Sequence, residues 1–134
     1  MGEVFDPGAV GRAFSEHRFD EVFPHLADDV RWTVVGYMVL EGADAVIRTC
    51  RDTLESLKGT TISRDRCITA VGDGVVAVDS FDRYSGPDGV TAVARCNTFE
   101  FSGDKIASIT SYAVEVDPDC AGAPPPGFGD RSRG

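Results

Sequence analysis

The chain has 134 residues, 42% apolar and 26% charged, a balance that suits one globular domain of ordinary size and excludes a disordered or fibrous polymer. Its net charge of -9 argues against nucleic acid and anionic membrane as partners, because phosphate binding needs clustered Lys and Arg. Residues 1–10 have neither a basic start nor an apolar core, and no apolar run is long enough to span a bilayer, so the expectation is a cytoplasmic protein without a signal peptide.

Helices come first in the chain and strands later. Asp6 reads as a cap and Pro7 as a first-turn residue of a helix whose apolar stripe is Val10 and Phe14, extended by His17, up to the turn at Arg18 and Phe19. Asp20 then caps a second short helix over 21–26, closed by the acidic pair Asp28 and Asp29, and VRWTVVG follows as a first strand. Gly42 introduces a third helix over 43–57, in which Val46, Ile47, Cys50 and Leu54 recur at helical spacing as the face to be buried; Lys58 and Gly59 end it. From there the pattern is strand and turn: 60–71, the GDG turn, 75–84, the SGPDG turn, 90–101, the SGD turn and 105–116. The result is an α+β domain over 1–117, in which a curved, mainly antiparallel sheet carries three helices on its concave face. Residues 118–134, with PPPG and no periodicity, read as an irregular tail.

Two stretches carry a resemblance. FDEVFPHLADDVRWTVVGYMVLEGADAV, residues 19–46, and GDKIASITSYAVEVD, residues 103–117, are similar to the nuclear transport factor 2-like superfamily and, within it, to SnoaL-like members. The resemblance implies a cone-shaped barrel enclosing an apolar pocket between sheet and helices, and a homodimer through the sheet's other face. In activity it implies cofactor-free cyclases, isomerases and epoxide hydrolases, some of them in polyketide or other secondary metabolism, alongside proteins of the same fold that only bind.

The chemistry-bearing residues follow from strand parity. With a period of two, Val76, Val78, Ser80, Asp82 and Tyr84 share one face, and Ala77, Asp79, Phe81 and Arg83 the other. The resemblance to the limonene-epoxide-hydrolase branch places that branch's catalytic Arg and two Asp at Ser80, Asp82 and Ser111, so one acid of the three is present. The ketosteroid-isomerase pattern places its base at Thr33 and its Tyr near Phe14, where neither can transfer a proton. Asp82 is therefore the candidate acid or base, raised in pKa by apolar neighbours, with Arg95 as its partner; the bland alternative is a structural carboxylate satisfied by Arg95 or by the SGPDG turn. Trp32, Phe14, Val34, Tyr37, Ser80, Tyr84, Asn97 and Ser111 are the candidate substrate contacts. Asp79 and Arg83 are expected outside as a solvated or interfacial pair, and His17 and His25 as solvated or capping residues at helix ends.

Cys50, Cys67, Cys96 and Cys120 form no CxxC and read as reduced thiols, with no metal and no organic cofactor expected. The favoured function is an acid–base enzyme for an apolar, oxygenated small molecule. The alternative is a non-catalytic protein that binds a hydrophobic ligand.

Overall fold

The structure, a computed structural model, describes residues 4–120. Asp6 caps the first helix, α1 (Pro7–Ser15), by accepting a hydrogen bond from the Ala9 amide at 3.2 Å, and Pro7 sits where no amide donor is needed. The helix ends at Glu16, and His17 then takes a left-handed conformation at φ 65 that turns the chain sharply. The segment expected as a second helix forms two short 3-10 turns instead, Phe19–Glu21 and Phe23–His25. Pro24 explains the break, since it cannot donate the amide hydrogen bond that a continuing helix requires.

Strand β1 (Leu26–Val34) starts earlier than the sequence pattern predicts and turns back through Gly36 into β2 (Met38–Glu41), a strand that the pattern did not reveal. Helix α2 (Ala43–Ser56) buries Val46 and Cys50 and half-buries Ile47; Leu54, expected on the same face, is 41% exposed in the helix's last turn, where the chain is about to leave the core. The strands β3 (Thr61–Val71), β4 (Val75–Gly86), β5 (Gly89–Ser102) and β6 (Lys105–Val116) form an antiparallel meander. Gly103, at φ 63, supplies the positive φ that the tight β5–β6 hairpin needs.

These six strands make one sheet in the order β2-β1-β6-β5-β4-β3, closed at neither edge. β1 runs parallel to β6, and every other pairing is antiparallel. The fold is thus α+β, a curved mixed sheet with a helical layer on one face. α1 lies over β3, β4 and β5, while α2 lies over β1 and β2. Val76, Val78, Phe99, Ile106 and Ile109 rise from the sheet to meet Val10, Ala13 and Phe14 of α1 and Val46 of α2. Cys50, Cys67 and Cys96 are free thiols, and burial pushes the Cys50 thiol up to about 12. The expected tail lies, from residue 121 onward, outside the described residues. Among those described, no helix is long and apolar enough to cross a membrane.

Contact between helix and sheet is close at Gly11. A Cβ there would lie 2.9 Å from Val76 Cγ1 and 3.1 Å from Phe99 Cδ1, both on buried residues. Gly11→Ala therefore sets a helix-propensity gain of about 1 kcal/mol against an overpacking cost of about 1–3 kcal/mol. The expected outcome in chemical denaturation is a net loss of stability; a variant more stable than the parent would show that α1 can lift off the sheet cheaply.

The opposite face of the sheet carries Ile68, Tyr112 and Val114, each more than 40% exposed, beside the half-buried Ala77 and Phe81. Asp79 and Arg83 on this face do not pair with each other: Asp79 meets Arg66 at 3.3 Å and Arg83 meets Asp65 at 2.9 Å. Those ion pairs leave the apolar strip between them open. Light scattering is expected to give twice the mass of one chain, and a monomer persisting to millimolar concentration would count against pairing through this face.

Candidate functional site

Between the two helices the sheet is left uncovered, and a cavity of about 200 Å³ opens there. Its apolar wall is an aromatic cluster: Phe14 packs edge-on against Trp32, Phe19 and Phe99, with ring centroids 5.1, 5.3 and 5.5 Å away. Val34, Met38 and Ala113 continue that wall, and Thr49 and Thr53 of α2 close one side. The polar wall consists of Ser15 and His17 from the end of α1, Arg95 and Asn97 from β5, and Ser111 from β6.

Each polar group is held in a fixed direction. The Trp32 indole N–H donates to Ser111 Oγ at 2.9 Å, which leaves the Ser111 hydroxyl proton free to donate. Asn97 Nδ2 donates to Ser15 Oγ at 3.0 Å, while its Oδ1, on a side chain only 2% exposed, has no partner. Arg95 Nη2 donates to Tyr84 Oη at 2.8 Å, and Tyr84 in turn donates to Asp82 Oδ2 at 3.3 Å.

Behind this wall lies Asp82, wholly removed from solvent. Two guanidiniums flank it, Arg64 from β3 with Nε 3.3 Å from Oδ1, and Arg95 from β5 with Nε 3.6 Å from Oδ2. Burial raises the Asp82 pKa; Arg64, Arg95 and the Tyr84 hydroxyl pull against it, and the net direction is upward. His17 joins the group from the other side. Arg64 Nη2 is 3.2 Å from His17 Nδ1, and His17 Nε2 is 3.4 Å from Tyr84 Oη. Because a guanidinium can only donate, Nδ1 is the acceptor and the ring proton sits on Nε2, directed at Tyr84. Burial first, then the charges of Arg95 and Arg64, push the His17 pKa down to about 4, against a smaller opposing effect of the Ser15 carbonyl. His17 is thus neutral at pH 7. The Tyr84 hydroxyl is pushed up, mainly by burial.

Of the candidate residues read from the sequence, Phe14, Trp32, Val34, Arg95, Asn97 and Ser111 line the cavity. Asp82, Ser80 and Tyr84 do not: Asp82 and Ser80 are sealed beneath the wall, and Tyr84 connects Asp82 to His17 and Arg95. Asp82 therefore cannot touch a ligand directly, and its surroundings are cationic rather than the apolar set of Trp32, Phe14 and Val34. Tyr37 is 81% exposed in the β1–β2 turn and belongs to no wall of the cavity. Of the charged and titratable groups of the site, sequence reasoning missed two. His17 is no solvated cap but part of the wall, aimed by its left-handed backbone; Arg64 was hidden by a bulge in β3. Among the described residues, no cluster of three or more His, Cys, Asp or Glu is placed to hold a metal ion.

A family model for the SnoaL-like domain matches residues 9–109. Among curated proteins none matches. Among solved structures, the chain is similar to a nuclear transport factor 2-like protein of unknown function from Cytophaga hutchinsonii, with 27% identity and a TM-score of 0.69 over 79% of this chain and 94% of that one. A candidate polyketide cyclase from Xanthomonas campestris aligns at 16% identity and a TM-score of 0.62, covering 78% of this chain and 84% of that one. An epoxide hydrolase of limonene-epoxide-hydrolase type from Mycobacterium tuberculosis aligns at 21% identity and a TM-score of 0.54, covering 77% and 75%. These last two likenesses show the fold alone.

The depressed pKa of His17 ties the site to stability. Above pH 6.5 the ring is neutral whether the chain is folded or not; between pH 6.5 and about 4 the unfolded chain takes up a proton that the folded site refuses. Stability is lost as pH falls through that window, on the order of 3 kcal/mol at full extent. The raised Asp82 pKa acts in the opposite sense, since the folded protein takes up that proton first. Arg64, Arg95, Tyr84 and Asp82 all face the ring and remain in a His17→Gln variant. That variant should lose less melting temperature than the parent between pH 7 and pH 4.5, whereas parallel curves would mean that His17 protonates freely in the folded state.

Proposed function

Because the chain belongs to the SnoaL-like domain family, we propose that it is a cofactor-free enzyme performing acid–base chemistry on a small, largely apolar, oxygenated molecule held in the cavity. Cyclisation, isomerisation and epoxide opening all fit this description, and each needs an oxygen polarised while a proton moves. The observation that carries the reading is the division of the cavity into an aromatic wall and a polar wall with hydrogen-bonding capacity to spare. Phe14 and Trp32 would hold the apolar body. Arg95 would polarise a substrate oxygen, and the Ser111 hydroxyl and Asn97 Oδ1 would orient its neighbours.

Proton transfer falls to His17, which with Arg95 makes up the titratable groups of the cavity lining among the described residues. Burial first, and then its two arginine neighbours, keep it neutral at rest; to enter as a base it would exchange the Arg64 N–H now held at Nδ1 for the proton of the substrate. The imidazolium formed on taking a proton would be stabilised through Tyr84 by Asp82, a positioning residue rather than a catalytic one. A second reading, a ligand-binding protein without turnover, is favoured by one feature: both nitrogens of His17 are already engaged, by Arg64 and Tyr84.

Deuterium exchange separates the two without knowledge of the product. Monocyclic ketones and epoxides would be incubated with the protein in D₂O and followed by NMR for C–H exchange and ring opening, with binding read from the emission of Trp32, the single tryptophan. Turnover that falls by about 10²- to 10⁴-fold in His17→Gln, with binding little changed, supports the enzyme. Binding without exchange in the parent protein supports the second reading.

A further inference from the structure

The charges around the cavity do not cancel. Arg64 and Arg95 share one carboxylate, Asp82, and among the described residues neither has another ion-pair partner. His17 is neutral, so the wall carries one positive charge in excess, inside a chain whose overall charge is -9. An uncompensated cation in a half-buried setting is poorly solvated and attracts an anion. Arg95 is the cation that reaches the cavity. Its one well-formed hydrogen bond among the described residues goes to Tyr84 Oη, which leaves further N–H donors of its guanidinium unused. On the same wall the Ser111 hydroxyl has a free proton. The opposite wall, Phe14 and Trp32, presents flat aromatic surface, and about 200 Å³ is the liquid volume of roughly seven water molecules.

Resting on the reading of this cavity as the substrate site, we propose that it selects a one-ring organic acid: an aromatic or alicyclic molecule whose anionic oxygen is bound by Arg95 and Ser111 while its ring lies against Phe14 and Trp32. A single ring with its acid group is of the size of this volume. A neutral molecule of the same shape would leave the excess charge unmatched. Asp82 then sets the strength of the selection, because it neutralises one of the two guanidiniums from behind.

Benzoate and benzamide differ in charge but hardly in shape, and serve as the probes. Isothermal titration calorimetry at pH 7, with Trp32 emission as a check on location, is expected to show benzoate binding at least tenfold more tightly than benzamide. Asp82→Asn, which frees the second guanidinium, should raise benzoate affinity at least threefold and leave benzamide unchanged. Arg95→Gln should bring the two ligands to within about threefold of each other; its fold would be checked by circular dichroism, and the parent protein and Asp82→Asn decide the matter should it not fold. Equal binding of both probes to the parent protein would overturn the charge selection while leaving the cavity a binding site. Binding of neither would overturn the selection and the reading of the cavity together. Unchanged or weaker benzoate binding by a folded Asp82→Asn would overturn the selection alone.

Discussion

A carboxylate with no access to water, held between guanidiniums from two different strands, is the contact on which the polar side of the cavity depends. A single arginine could neutralise Asp82, but it would fix it from one side only. With Arg64 on β3 and Arg95 on β5, the charge is clasped across three neighbouring strands, and removal of either cation would unfasten one of those strands from it while leaving the carboxylate a single partner. The same arrangement orders its surroundings. Arg95 fixes the Tyr84 hydroxyl, Arg64 fixes the ring of His17, and burial together with their charge keeps that ring neutral. The chemistry available in the cavity is therefore decided one layer beneath its surface.

Much of the architecture could be read from local patterning, because the strands of the meander alternate cleanly and their turns contain Gly, Asp and Pro where the backbone needs them. The parity of β4 put Asp82 and Ser80 inward and Asp79 outward, as in the structure, and the α2 periodicity found Val46 and Cys50. Less legible were features that depend on distant contacts. β2 is four residues with little alternation, and it is a strand only because β1 offers it an edge. Leu54 has the right spacing, yet in the last turn of α2 it stays 41% exposed.

Arg64 shows most clearly why the site was only partly visible. In the run Arg64-Asp65-Arg66, a period of two puts both arginines on one face, the pattern of a solvated strand edge. The structure shifts register there: Arg64 pairs with Asp82 and Arg66 with Phe81, so that Asp65 is the extra residue of a bulge. One arginine turns inward to the buried carboxylate and the other outward to Asp79. Alternation carries no mark of such a shift. His17 was hidden for a similar reason, since its direction comes from a left-handed backbone at the end of α1 and not from the helical stripe. Asp82 was found but misplaced in depth, because parity distinguishes faces of a sheet and says nothing of what lies between a face and the ligand.

The parallel seam between β1 and β6 also bears on the order in which the protein is assembled. Trp32 and Ser111, joined across that seam by the indole hydrogen bond, are 79 residues apart. A ribosome making this chain will have released the aromatic wall of the cavity long before its polar partner exists, and no local hairpin can substitute for the missing strand. Joining the seam closes a long loop, a step that is slow because so much chain entropy is lost before any contact rewards it. Until then Trp32 and Phe14 are an apolar surface without a cover, the kind of surface on which half-made chains adhere to one another. The wall of the cavity therefore cannot be completed until the last strand of the sheet has been made and joined to the first.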